Sequence, residues 1–278
     1  QAEDGIRDVE RSRGLGDVYK RQNKIGIHSH NDYQQIKPFW NAYENGLNSI
    51  EIDVYLKNDN LYVTHSESEI NKRRTIESLY LNPLEKVISS ELDSINTLQI
   101  LIDIKSDSKN TLNKIIEILN QYPQIINQKN ISIVISGNRP DPKEYRYYPD
   151  FIYFDYQSLD PLVEQKMWNK IALISLNFKK FSNWNGKSSM TAKDYKKVDS
   201  VLRIAHQYGK PFRFWATPDT EVAWEAFHIL GVNYINTDHP AQASNYFKKR
   251  IRYYLKSVSY THLRAHETSL HLVCRLLL

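Results

Sequence analysis

The chain has 278 residues, 41% apolar and 25% charged, close to the averages of globular domains and long enough for one barrel of roughly 250 residues. Its net charge of +5 is spread thinly, with no basic cluster interleaved with aromatics, which argues against a nucleic-acid partner. A single cysteine, Cys274, excludes an intrachain disulfide and a thiolate metal cluster, and no run approaches the ~18 apolar residues of a transmembrane span.

Residues 1–22 (QAEDGIRDVERSRGLGDVYKRQ) show neither helical nor strand period, and 257–278 (SVSYTHLRAHETSLHLVCRLLL) also stand apart. GDVYKRQ and SYTHLRAHET resemble translated sequencing-adapter read-through, so both ends are expected to be non-native or disordered extensions of a domain spanning 23–256. Cys274, His262, His266 and His271 then leave the argument. A secreted or periplasmic location is compatible with this pattern, but the compartment is not readable.

From Asn23 onward, short β-branched or aromatic runs alternate with helical stretches, the pattern of a parallel sheet wrapped in helices. The run 24–30 (KIGIHSH) leads to an amphipathic helix carrying Phe39, Trp40 and Tyr43, ended by Asn45-Gly46 at a left-handed cap. The run 49–56 (SIEIDVYL) turns at Asn58-Asp59-Asn60 into a short return, 61–64 (LYVT). Next comes 98–105 (LQILIDIK), with a helix over 110–120. Later runs fall at 131–136, 151–156, 171–178, 211–216 and 232–236, with helices at 192–208 and 220–230. The stretch 138–149 (NRPDPKEYRYYP) reads as a loop inside the domain. With the return set aside, eight strands remain, the number that closes a single-domain TIM-type (β/α)8 barrel of the α/β class. A doubly wound open sheet is the alternative, but it needs a Gly-rich phosphate turn after its first strand, and HSHNDY has none.

Barrels place their chemistry at the C-terminal ends of the strands, where these apolar runs are interrupted. Glu51 and Asp53 lie two apart on one strand and share a face, opposite Ile50, Ile52 and Val54. Two carboxylates aimed into a closed barrel need a cation, and oxygen ligands favour a hard divalent ion, Ca²⁺ or Mg²⁺. A solvated polar face is the plainer alternative. Asp103 and Lys105 repeat the spacing on the next strand, as a third carboxylate and a phosphate-binding cation, or as a structural ion pair. His28, His30 and His65 end the first strand and the return, beside these carboxylates, and are the acid–base candidates. His206 and His228 fall within helices and read as packing or surface residues. Trp215, at the end of the seventh strand, is either a substrate-binding wall or core. The 19 tyrosines leave room for peripheral membrane contact, but abundance alone does not locate them.

A His-x-His pair also opens zinc-dependent amidohydrolase barrels. Those need further histidines near the fifth and sixth strands, and FIYFDYQ and IALISLNF contain none; Asp238 after the eighth strand is weak support alone.

Taken together, HSHNDY, SIEIDVYLKNDNLYVTH, ILIDIKSD and the closing TPD…W…LGVNYINTDHP resemble the phosphatidylinositol-specific phospholipase C and glycerophosphodiester phosphodiesterase superfamily. Within it they are most similar to the phospholipase C-like phosphodiesterase branch, which includes the proteins named altered inheritance of mitochondria 6. The resemblance covers about Lys24 to Pro240. It implies a metal-dependent phosphoric diester hydrolase acting on phospholipid-type or glycerophosphodiester-type small molecules through two histidines. By position it implies His30 as base, His65 as acid, and Glu51, Asp53, Asp103 and Asn31 as metal ligands. Lys105 would meet the phosphate, and His28 is either catalytic or a support. Two departures stand out. Asn31-Asp32 follow His30 where glycerophosphodiesterases carry Arg-Gly, and Asp103 stands where they carry Glu. A barrel that binds lipid or metal without turnover is the alternative from another class.

Overall fold

The computed structural model of this chain describes residues 25–90 and 96–251. The two terminal stretches set aside above, Cys274 among them, lie outside the described residues.

Nine strands form: β1 (Gly26–Ser29), β2 (Ser49–Lys57), β3 (Asn60–Val63), β4 (Leu98–Ile104), β5 (Ile131–Gly137), β6 (Ile152–Tyr156), β7 (Ile171–Asn177), β8 (Phe212–Trp215) and β9 (Tyr234–Thr237). They are ordered β1-β9-β8-β7-β6-β5-β4-β2-β3, and β1 also pairs with β2. That pairing closes eight parallel strands into a (β/α)8 barrel, and β3 is the antiparallel return on β2. Each of the eight expected runs is a strand of the ring.

The outward faces of β2, β4 and β5 (Ile50, Ile52, Ile100, Ile102, Ile133, Ile135) are buried beneath the helices, which is why these runs are apolar on both faces except at the mouth. The helices are α1 (Trp40–Glu44), α2 (Asn82–Ser90), α3 (Ser108–Leu119), α4 (Pro123–Ile126), α5 (Gln165–Asn169), α6 (Ala192–Gln207) and α7 (Glu221–Leu230), followed by residues 240–251. Asp107, Thr191 and Thr220 cap α3, α6 and α7 by accepting a backbone N–H three residues on.

Two local expectations are corrected, and one element is added. The helix after β1 is only the five-residue α1, and Phe39 lies before it with φ 64°. Residues 138–149 are no bare loop: a 3-10 segment, Pro142–Tyr147, buries Tyr145 in a stack on Phe154, ring centroids 3.6 Å apart. The sequence pattern assigns no element to 77–90, where a π turn at Glu77–Leu81 precedes α2 and accommodates Pro83.

Inside the ring, Leu101, Val134 and Leu173 pack with Tyr153 and Tyr234 as an apolar floor. Gly26 makes room for it, since a Cβ there would meet the Tyr234 ring at 2.5 Å. Toward the C-terminal ends of the strands the inward residues include Glu51, Asp53 and Asp103, with Gln99 bonded to Ser49 nearer the strand starts. The loop leaving β1 toward that polar end is anchored by buried Asp32, which accepts from Ser29 Oγ (2.7 Å), the Phe39 amide (2.7 Å) and Tyr80 OH (3.0 Å). The Phe39 bond also holds a bulky residue at a positive φ that would otherwise be strained.

Removing this anchor leaves three buried donors without an acceptor. Asp32→Ala is expected to cost about 3 kcal/mol, a fall in Tm of about 6–12 °C. Asp32→Asn, which keeps one acceptor oxygen, should lose about half as much, both measured by circular-dichroism melts.

Candidate metal and acid–base site

The alternation of β2 turns Glu51 and Asp53 inward, and its register with β4 sets Asp53 beside Asp103. One oxygen from each of these three carboxylates lies within 4.8 Å of the others. Asp53 is fully buried: Oδ2 accepts from His65 Nδ1 (2.7 Å) and Tyr33 OH (3.0 Å) and lies 3.3 Å from Lys105 Nζ. Its Oδ1 is buried without a donor. Asp103 divides the same way, with Oδ2 3.3 Å from Lys105 Nζ and Oδ1 buried without a donor. Gly137 leaves the space for that carboxylate; at φ 67°, its Cβ would lie 1.9 Å from Asp103 Oδ1. Two donorless buried oxygens in an all-carboxylate cluster fit a hard divalent cation and not zinc on nitrogen ligands.

The charges explain the titration directions. Burial, then the neighbouring Glu51, push the Asp103 carboxyl up to about 6. Burial also raises Asp53, although Lys105 opposes it. Glu51 is the opposite case: burial would raise it, but the Arg213 guanidinium and His28 outweigh that and hold it well below the usual carboxylate range.

The three histidines separate clearly. His28 is fully buried, with Nδ1 2.7 Å from Ser49 Oγ and Nε2 2.7 Å from Glu51 Oε2, and Arg213 Nη1 also touches Nε2. Burial, reinforced by Arg213, brings its pKa down to about 3, so it stands neutral behind Glu51. His30 is partly open at the mouth, with Nδ1 2.6 Å from Asp238 Oδ1 and Nε2 3.8 Å from Glu51 Oε1. Burial disfavours its charged form, but the hydrogen bond to Asp238 and the charge of Glu51 prevail and raise its pKa. His65 is 62% exposed and is held through Nδ1 by Asp53.

His65 reaches Asp53 because the return is tight. Asn58 and Asp59, at φ 48° and 64°, make the two-residue turn that such hairpins favour. The Thr64 amide then donates to the Asp53 carbonyl at 3.1 Å, which brings the next residue over the carboxylate. Asn31 occupies the left-handed region at φ 47° between His30 and Asp32. Trp215 lies two residues beyond Arg213 on the same face of β8, half-buried, with Nε1 buried and unpartnered.

Sequence reasoning missed Arg213, Asp155 and Tyr33, and weighed Asp238 only as a zinc ligand. Arg213 Nη1 donates to Glu51 Oε2 (2.7 Å) and Asn236 Oδ1 (3.0 Å), and Nη2 lies 4.0 Å from Asp155 Oδ2. Asp155 accepts from Ser175 Oγ (2.6 Å) and Ser136 Oγ (2.9 Å) and sits beside a register shift between β6 and β7. The signal was available: FRFW and FDY each place one charge inside a buried run, as SIEIDV does.

Residues 16–96 match the AIM6-like phosphodiesterase domain, and residues 211–241 match the glycerophosphoryl diester phosphodiesterase family. Over 78 residues the chain is 46% identical to the altered inheritance of mitochondria protein 6 homolog of Arthroderma benhamiae, covering 26% of this chain and 25% of that protein. Over 66 residues it is 36% identical to altered inheritance of mitochondria protein 6 of Kluyveromyces lactis, covering 23% and 16%. The matched stretch thus spans a quarter or less of the length of these curated relatives. Among solved structures, a glycerophosphodiester phosphodiesterase from Parabacteroides distasonis ATCC 8503 superposes with a TM-score of 0.53 at 15% identity, over 82% of this chain and 98% of that one. That likeness is one of fold.

Arg213 is the buried counter-charge of Glu51, so its loss strands a carboxylate. Arg213→Met is expected to destabilise the fold by about 3–5 kcal/mol in urea denaturation, and Arg213→Met/Glu51→Gln to recover much of that loss.

Proposed function

We propose that this chain is a metal-dependent phosphoric diester hydrolase of the AIM6-like branch of the glycerophosphodiesterase and phospholipase C-like superfamily, a reading supported by its partial matches to the two phosphodiesterase families. One observation carries the reading: two histidines, each held through Nδ1 by a carboxylate, flank a three-carboxylate cluster, His30 beside Glu51 and His65 on Asp53. A carboxylate on one ring nitrogen fixes the orientation of the imidazole and leaves the other nitrogen to exchange a proton.

Glu51, Asp53 and Asp103, with Asn31 from the adjoining loop, would hold Ca²⁺ or Mg²⁺, which when bound supplies a Lewis acid against the charge on the phosphate. His30 takes the proton of the attacking water or neighbouring substrate hydroxyl, and Asp238 steadies the imidazolium that results. His65 gives its proton to the leaving alcohol as the phosphorus–oxygen ester bond breaks. With water as the net reactant, the diester becomes a monoester and a free alcohol. Lys105 neutralises a phosphate oxygen, and Trp215 forms an apolar wall. The substrate class is a phospholipid-type or glycerophosphodiester-type small molecule.

The two histidine roles are separable by leaving group. His30→Ala is expected to lower turnover by about 10²–10⁴-fold on both bis(p-nitrophenyl) phosphate and an alkyl head-group diester. His65→Ala should lose that much only on the alkyl diester, because p-nitrophenolate leaves without a proton. EDTA should abolish both activities, and Ca²⁺ or Mg²⁺ should restore them. Wild-type turnover of the alkyl diester by His65→Ala or Glu51→Ala would remove the proposal.

Gly137→Ala displaces the Asp103 carboxylate without touching substrate. The cation concentration for half-maximal activity is expected to rise about 10–100-fold. An unchanged cation titration by a folded variant would take Asp103 out of the ligand set.

A further inference from the structure

Of the closing motif TPD…W…TDHP, the reaction proposed above uses only Asp238. Its carboxylate meets His30 Nδ1 at 2.6 Å, yet that side chain is 61% exposed. A carboxylate–imidazole pair so open to water is weak, because both side chains lose freedom to hold one geometry and solvent screens their attraction. The orientation of His30 therefore depends on how firmly the Asp238 backbone is fixed.

Both polar groups of that backbone are tied to neighbouring loops. The Asp238 N–H donates to Asp219 Oδ2 (2.7 Å), and the Asp238 carbonyl accepts from Gln35 Nε2 (2.9 Å). Each of these side chains is itself held. Asp219 Oδ1 accepts from Nε1 of the buried Trp224 on α7 (2.6 Å). Gln35 Oε1 accepts from Asn41 Nδ2 on α1 (2.9 Å), which fixes the way its amide points. The chain reaches Asp219 from β8 through Ala216 at φ 55°, a left-handed conformation that alanine rarely adopts and that persists only where the surroundings hold it. Ring closure completes the frame: the His30 N–H donates to the Thr237 carbonyl at 3.0 Å, one residue before Asp238.

We infer that Asp219 and Gln35 are positioning residues, which clamp the Asp238 backbone from the loops after β8 and β1 so that its carboxylate sets the orientation of the His30 imidazole. The effect on turnover rests on the hydrolase reading, whereas the clamp itself does not.

The test is steady-state turnover of bis(p-nitrophenyl) phosphate and of an alkyl head-group diester, read beside thermal melts. Asp219→Ala is expected to lower kcat about 10–100-fold on both substrates with KM little changed, and Gln35→Leu about 3–10-fold, because a small misplacement of a reacting group is costly. Thr220→Ala, which removes the α7 cap beside Asp219, should also lower Tm but leave kcat within about twofold of wild type. In an Asp238→Ala background, Asp219→Ala should cost less than about twofold more, since the link it acts through is already gone. Gln35→Leu leaves α7 alone and keeps the test decisive if Asp219→Ala does not fold. Losses no larger than that of Thr220→Ala, or losses that add in full to that of Asp238→Ala, would overturn the clamp. If the wild type turns over neither diester, the hydrolase reading fails, and crystal structures of the two variants decide the clamp alone. An Asp238 carboxylate displaced from His30 upholds it, and an unchanged contact in both variants refutes it.

Discussion

Three carboxylates inside a closed barrel form the constraint on which the polar end of this fold depends. Each unpaired negative charge there carries a heavy desolvation cost, and the surrounding residues answer it one oxygen at a time. Arg213 and His28 take one oxygen of Glu51, while Tyr33, His65 and Lys105 take one of Asp53. What remains are inward oxygens of Asp53 and Asp103 with nothing to accept. The outer edge of the cluster is thus neutralised by the protein itself, while its central oxygens have no donor. The histidines divide in the same way: His28 is walled in behind Glu51, while His30 and His65 lie nearer solvent.

Much of this was legible in the chain because the barrel enforces a period of two. Glu51, Asp53, Asp103 and Lys105 come in i, i+2 pairs within β-branched runs, and such pairs have few explanations. Arg213 and Asp155 also interrupt buried runs but stand singly, so the sequence marked the positions without showing that Arg213 pairs with Glu51. The His30–Asp238 contact joins residues 208 apart and exists only because β9 pairs with β1 as the ring closes. No local pattern encodes such a contact. His28 and His30 are alike in His-x-His by residue type; the resemblance favours His30 as base, and the structure separates them by burial. Tyr145 was hidden for a different reason: turn-forming prolines dominate its neighbourhood, while its stacking partner Phe154 lies on the next strand.

The floor and the mouth divide the interior by chemistry. Gly26 admits Tyr234 into the ring, where it packs with Leu101, Val134, Leu173 and Tyr153. Gly137 serves the upper layer in the same sense, by yielding its volume to a carboxylate. The positions that say most about the site therefore include two residues with no side chain at all.

The return β3 carries one more consequence. His65 enters the site from an appended hairpin whose pairing with β2 runs from Val54 opposite Val63 out to Lys57 opposite Asn60. Residues added at the far tip leave the base of this ladder untouched as long as both arms lengthen equally. One unmatched residue shifts the register and turns the histidine to the other face. Length variation among related chains should therefore come in balanced steps here, so that a count of residues between the aspartate and the histidine distinguishes chains that keep the contact from chains that have lost it.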